Sequence, residues 1–153
     1  MARGRCQDIV TIIPLQARLL LTFATLAYGV GPWLTDMNRT HLFHPAWTGH
    51  ARFHLFWAAF SQLVISAIAL RLTWDYGAAA AIRCEYAALI GVCMTSGFWG
   101  ALAFKRWFKG TLHDPHGIPP IGGMVDGNIV AVLLIDGLLL WGWMLLPPHG
   151  GMR

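Results

Sequence analysis

The stretch "AVLLIDGLLLWGW", residues 131–143, sets one aspartate among twelve uncharged residues. Its apolar residues follow one another without the every-second-residue alternation of a barrel strand, so the run reads as a helix in contact with lipid. Extended to about 128–146, it approaches the ~20 residues that cross about 30 Å of hydrocarbon. An acid at the middle of such a helix costs roughly 2.5–3.5 kcal/mol on insertion. Asp136 is therefore expected to face the interior of a bundle and to meet a polar partner, for which Tyr28, Gln62 and Ser96 are candidates. Either a neighbouring group simply satisfies the acid, or the acid forms the floor of a polar cavity.

Three earlier runs repeat the pattern at about 17–34, 51–72 and 78–104. With 56% hydrophobic and 12% charged residues among 153, and a mean hydropathy of +0.54, the chain reads as a single membrane domain, 1–153. The expected fold is all-α, an integral membrane four-helix bundle with both termini on the same side. The expected location is a multi-pass position in the cell inner membrane. Trp33, Trp74, Trp107, Trp141 and Trp143 fall near span ends, where an interfacial aromatic belt forms. The opening "MARGR" imitates a secretory leader, but three further spans favour an uncleaved first helix. Basic residues at the ends of apolar runs account for the formal charge of +4 through lipid headgroups, so nucleic acid is not an expected partner. Cys6, Cys84 and Cys93 lack metal-site spacing. Cys84 and Cys93 lie about 13.5 Å apart along one helix and cannot bridge.

Four spans bring the loop after the first helix and the loop after the third to one membrane face. The first carries Asp36, Asn38, His41, His44 and His50, with His54 a turn into the second helix. The second, "KGTLHDPHGIPPIGGMVDGN", carries His113, Asp114, His116, Asp126 and Asn128. Six of the seven histidines thus gather on one face, and only His149 falls on the other. Lysines and arginines divide six against five between the faces, so they give no orientation.

Within "HARFH", His50 and His54 stand at i and i+4, a spacing that lets two imidazoles share a metal ion. Pro45 holds His44 extended, and Gly49 gives a flexible entry to the helix. Steps of four lead on to Ala58, Gln62 and Ser66, a polar-to-small stripe expected to face the bundle. On the bland reading these histidines bond headgroups, water or carbonyls at the interface. On the functional one, His50, His54 and His41 hold a divalent metal ion, or act with Asp36 and Asp136 as acids and bases. Arg52, Asn38, Trp47 and Gln62 would then bind the substrate. The repeated histidine boxes of membrane di-iron enzymes are missing, and only His54 lies deep enough for a haem ligand. Haem is therefore not expected, and neither is a nucleotide, since the chain carries no fingerprint for one.

The segment "DMNRTHLFHPAWTGHARFH", residues 36–54, resembles the signature of a family of small polytopic membrane proteins of unknown function. That signature reads D-x-N-x-T-H-x-F-N-P-x-W-P-x-H-A-R-F-H. The matches are Asp36, Asn38, Thr40, His41, Phe43, Pro45, Trp47, His50, Ala51, Arg52, Phe53 and His54. The chain departs at His44, where the pattern has asparagine, and at Thr48, where it has proline. The resemblance implies a working surface of Asp36, Asn38, His41, His50, Arg52 and His54, and it supplies no activity.

Two function classes follow. One is a membrane-embedded enzyme that works on a lipophilic small molecule by histidine and aspartate acid–base or metal-assisted chemistry. The other is a non-catalytic, transporter-like or accessory subunit that binds a partner, metal or lipid through its histidine face. Membrane lipid is an expected partner in both, and a homo-oligomer is left open.

Overall fold

The computed structural model describes residues 12–113 and 120–148. They form four helices: α1 Leu15–Asp36, α2 Gly49–Thr73, α3 Ala80–Phe104 and α4 Gly127–Met144. The described residues are otherwise loop, apart from one isolated bridge between Ile121 and Val125. The fold is all-α, and each helix falls within about a turn of the span read from the sequence. Side chains start two of the helices. Thr48 Oγ1 accepts from the Ala51 N–H at 3.2 Å, and Asp126 Oδ1 accepts from the Asn128 N–H at 2.9 Å.

Three of the helices, α2, α3 and α4, are long and apolar enough to cross a membrane, each with a mean hydropathy of 1.7. The remaining helix, α1, carries Arg18, Thr22, Thr25 and Tyr28 and packs against all three others, as α3 does. Across the bundle, α2 and α4 make no contact. Neighbours run antiparallel. Arg18 meets Thr73, Thr22 meets Trp74 and Trp33 meets Ala59, so α2 descends as α1 climbs. Trp99 meets Asp136 and Gly91 meets Leu139 between α3 and α4. Gly142 seats Leu21, which sets the end of α4 beside the start of α1. The loops 37–48 and 105–126 therefore share one end of the bundle, and the loop 74–79 lies at the other with the start of α1 and the end of α4.

Small residues fill the interior. Ala17, Ala24, Ala59, Ala69, Ala80, Ala81, Ala87 and Ala88 are buried, with Leu21 and Leu139 the large aliphatic side chains fully enclosed. Phe23, Phe53, Phe56, Trp57, Phe60, Ile68, Leu133 and Leu134 point outward and are exposed. This distribution inverts that of a water-soluble bundle. Lipid supplies as good an apolar environment as a core does, so close approach of backbones decides what lies inside. Gly91 shows the limit: a Cβ there would come within 2.6 Å of Leu139.

The densest polar contact lies where α1 starts and α2 ends. Arg18 is only 4% exposed. Its guanidinium donates to the Thr73 carbonyl and, through both terminal nitrogens, to the Asp75 carbonyl at 3.2 Å. Its Cζ also lies 4.5 Å from the Tyr76 ring centroid. The last carbonyls of a helix have no partner within it and carry the negative end of its dipole, so a cation is well placed there. Next to it, the Trp74 indole N–H donates to Thr22 Oγ1 at 2.9 Å. Outside this plug, Asp75 pairs with Arg71 at 3.2 Å and with Arg83 at 3.0 Å. The Arg71 hydrogen bond is the main cause holding the Asp75 carboxyl below its usual range. Partial desolvation opposes it, while the Tyr76 N–H and the two arginine charges assist.

Arg18→Met should destabilise the bundle by about 2–3 kcal/mol, because the Thr73 and Asp75 carbonyls lose the guanidinium donors and Thr73 keeps only the weak Cys84 thiol. Arg18→Lys should recover less than half of that, since one ammonium cannot reproduce the fork and the stacking. Thermal melts in detergent measure both. A methionine variant as stable as the parent would show that the contact is ornamental.

Candidate functional site

The motif residues first explain their own loop. Asn38 Oδ1 accepts from the Thr40 N–H at 2.8 Å, from Thr40 Oγ1 at 2.6 Å and from the His41 N–H at 3.2 Å. The Asn38 amide group donates to the Thr35 carbonyl. One asparagine thus closes the turn that leaves α1, as short amide side chains do. Asp36 Oδ1 accepts from Thr35 Oγ1 at 2.8 Å, and the Asp36 carbonyl accepts from the Leu42 N–H at 3.0 Å. His41 Nδ1 lies 2.8 Å from Thr40 Oγ1, and its ring stands edge-on to half-buried Trp47 at 6.3 Å. Arg52 reaches back from α2 and donates to the His44 carbonyl at 2.9 Å. Its Nε is buried without a hydrogen-bond partner. Asp36, Asn38, Thr40, His41 and Arg52 spend most of their hydrogen bonds on holding the loop together.

His50 and His54 do meet. Their Nε2 atoms lie 3.0 Å apart, and their rings are nearly perpendicular with centroids at 4.4 Å. His54 also stacks on Trp57, centroids 5.7 Å apart at 27°. Both histidines are exposed, whereas α2 turns Ala59, Ser66, Ala69 and Thr73 into the bundle. The stripe expected to face inward is corrected here. Each step of four advances about 40° round a helix of 3.6 residues per turn, so four steps from His50 to Ser66 rotate by about 160°. The stripe begins on the outer face with the histidines, and only Ser66 reaches the interior. Gln62 is half-buried between them.

The described residues contain no group of three or more histidines, cysteines or acids able to hold a metal ion. His41, expected to join His50 and His54 as a ligand, is instead held by Thr40 and Trp47 in its own loop. His113 lies 4.0 Å from Asp126, the residue that caps α4. Asp114, His116 and His149 lie outside the described residues.

Asp136 has a different partner from those expected. The Trp99 indole N–H donates to Asp136 Oδ2 at 2.7 Å, across the α3–α4 contact. Tyr28 is buried in the bundle and makes no hydrogen bond to the acid. Ser96 does share its surroundings: Thr95, Ser96, Trp99, Asp136, Leu139 and Trp143 line a groove of about 280 Å³ with alanine, leucine and valine between them. The groove lies on the flank of α3 and α4, and no histidine lines it, so Asp136 is not the floor of a cavity opening on the histidine face. The sequence does not single out Trp99, because a tryptophan in such a chain reads as a span-end residue. Its signal was position: an indole N–H five residues inside the end of α3 needs an acceptor where water is scarce. The Arg18 plug was missed for a related reason, since an arginine near a span end reads as a headgroup anchor.

No family model, no curated protein and no solved structure matches the chain. The roles of these residues accordingly rest on their geometry.

Asp136→Asn should fold nearly as the parent does, because the amide oxygen still accepts from the Trp99 indole. Asp136→Leu should cost about 1–3 kcal/mol by leaving that N–H without a partner. Melting curves of the two variants in one detergent decide. Equal stability of the leucine variant and the parent would mean that the hydrogen bond contributes nothing.

Proposed function

We propose that the protein is an integral membrane protein of four spans that holds a lipophilic molecule, bearing a hydrogen-bond donor, in the groove between α3 and α4. The support for a lipid setting is the inverted distribution of side chains, together with three helices of span length and composition. Because α1 packs against all three others and its outer face carries Leu19, Phe23, Leu26 and Leu34, it crosses with them.

The observation that carries the binding reading is Asp136 itself, nine residues into α4 and so about 13 Å from either end of the helix. An ionisable group at that depth is retained at a cost, and it points to a ligand or an ion path. Its Oδ2 is taken by Trp99. Around it the Thr95 hydroxyl donates to the Val92 carbonyl at 3.2 Å and the Ser96 hydroxyl donates to the Cys93 carbonyl at 2.7 Å. The free capacity of the lining is therefore for accepting hydrogen bonds. An alcohol or amine on an apolar body matches it. The groove approaches the lower end of the volumes usual for small-molecule sites, which suits a single ring system or a short chain segment. Binding is favoured over turnover because the described lining sets no second titratable side chain beside Asp136.

Native mass spectrometry of the protein released from detergent or nanodiscs tests this. The parent should retain a lipophilic adduct that Val92→Trp, which fills the groove from its exposed rim, largely displaces. Asp136→Asn should weaken it by about ten-fold, because the amide keeps a single oxygen, which Trp99 takes, where the carboxyl offers a second acceptor. A parent without any adduct, or an adduct indifferent to both substitutions, would contradict the assignment.

A further inference from the structure

The exposed imidazole pair at the start of α2 takes no part in the groove and stands apart from it. We propose that His50 and His54 form a two-nitrogen chelate for a divalent transition-metal ion, with copper(II) the best fit, at the outer surface of the bundle.

The argument is geometric. Imidazole nitrogens bind divalent ions at about 2.0–2.1 Å. Two of them at right angles on one ion lie about 2.8–3.0 Å apart, and two at the tetrahedral angle about 3.3–3.4 Å apart. The His50 and His54 Nε2 atoms are 3.0 Å apart. That separation is also the length of the hydrogen bond the two rings make with each other, so it shows that both nitrogens can reach one ion, and the choice of copper(II) rests on its affinity for nitrogen donors.

The pair is also held in place. Its helix is capped by Thr48, the preceding loop is latched to it by Arg52, and the His54 ring is braced against Trp57. Without metal, one Nε2–H donates to the other Nε2. On chelation both Nε2 lone pairs bind the ion and both ring protons reside on Nδ1, so two metal–nitrogen bonds replace one hydrogen bond with no net loss of protons. Both rings are exposed, which leaves the remaining coordination positions to water or to an exogenous ligand. Copper stands above nickel and zinc in the general order of affinity for such donors. This reading replaces the three-histidine set with a pair, since His41 is engaged elsewhere.

The test uses the full chain, purified in detergent without a histidine tag and titrated with copper(II) chloride. The parent should bind one ion through this pair, with an electron paramagnetic resonance spectrum showing two equivalent nitrogens. His50→Gln and His54→Gln should each lower the affinity at least about ten-fold and reduce the spectrum to one nitrogen, while His44→Gln and His113→Gln leave both unchanged. Circular dichroism confirms that the variants stay folded. A parent that binds no copper at micromolar concentration overturns the proposal. So does a two-nitrogen spectrum that survives loss of His50 or His54, or one that vanishes instead with His44 or His113.

Discussion

The fold depends on one buried guanidinium. Arg18 enters the bundle at the base of α1 and closes the carbonyl end of α2. A charge in so apolar a place is tolerated only when its donors are used, and here they meet carbonyls that the helix itself leaves unpaired. Because the contact is directional, it fixes α1 along α2 as well as beside it. The pairs above it follow in register: Thr22 with Trp74, Gly29 with Ser66, Trp33 with Ala59. With α1 so placed, α3 and α4 pack on its remaining sides, and the alanine-rich seam of α3 meets Leu21 and Leu139.

Much of this was legible before any coordinates. Uninterrupted apolar runs give the helices, and four successive crossings give antiparallel neighbours and loops at shared ends. The turning of side chains about each axis was less legible. Neighbours that follow one another by fours drift round a helix, so His50 and Ser66 belong to opposite faces although they sit on one numerical stripe. Partners distant in sequence were the least legible. Nothing in "AVLLIDGLLLWGW" names Trp99, and nothing beside Arg18 names Thr73, because both contacts are set by how whole helices lean together.

The motif in residues 36–54 looks like a reactive centre on paper, and in the fold most of it is masonry. Asn38 closes a turn, Thr48 starts a helix, and Arg52 ties that helix to the loop. A motif dense in polar residues can be demanded by backbone carbonyls and amides that must be satisfied near a membrane surface, where disorder would leave them exposed to lipid. Two polar features outside the loop carry the proposals made for this protein: the acid beside Trp99 in the α3–α4 groove and the imidazole pair on the outer face of α2. They lie on different helices and at different depths, and the chemistry proposed for each is separate.

The central proposal is that all four antiparallel helices cross the membrane, because the depth assigned to the groove presupposes it. Cysteine accessibility in sealed vesicles tests it most directly, with Cys6, Cys84 and Cys93 replaced by alanine. Thr48→Cys and Thr111→Cys should react with an impermeant maleimide from one side of the membrane, and Ala78→Cys from the opposite side only. Labelling of Thr48→Cys and Thr111→Cys from opposite sides, or of Ala78→Cys from their side, would contradict the arrangement.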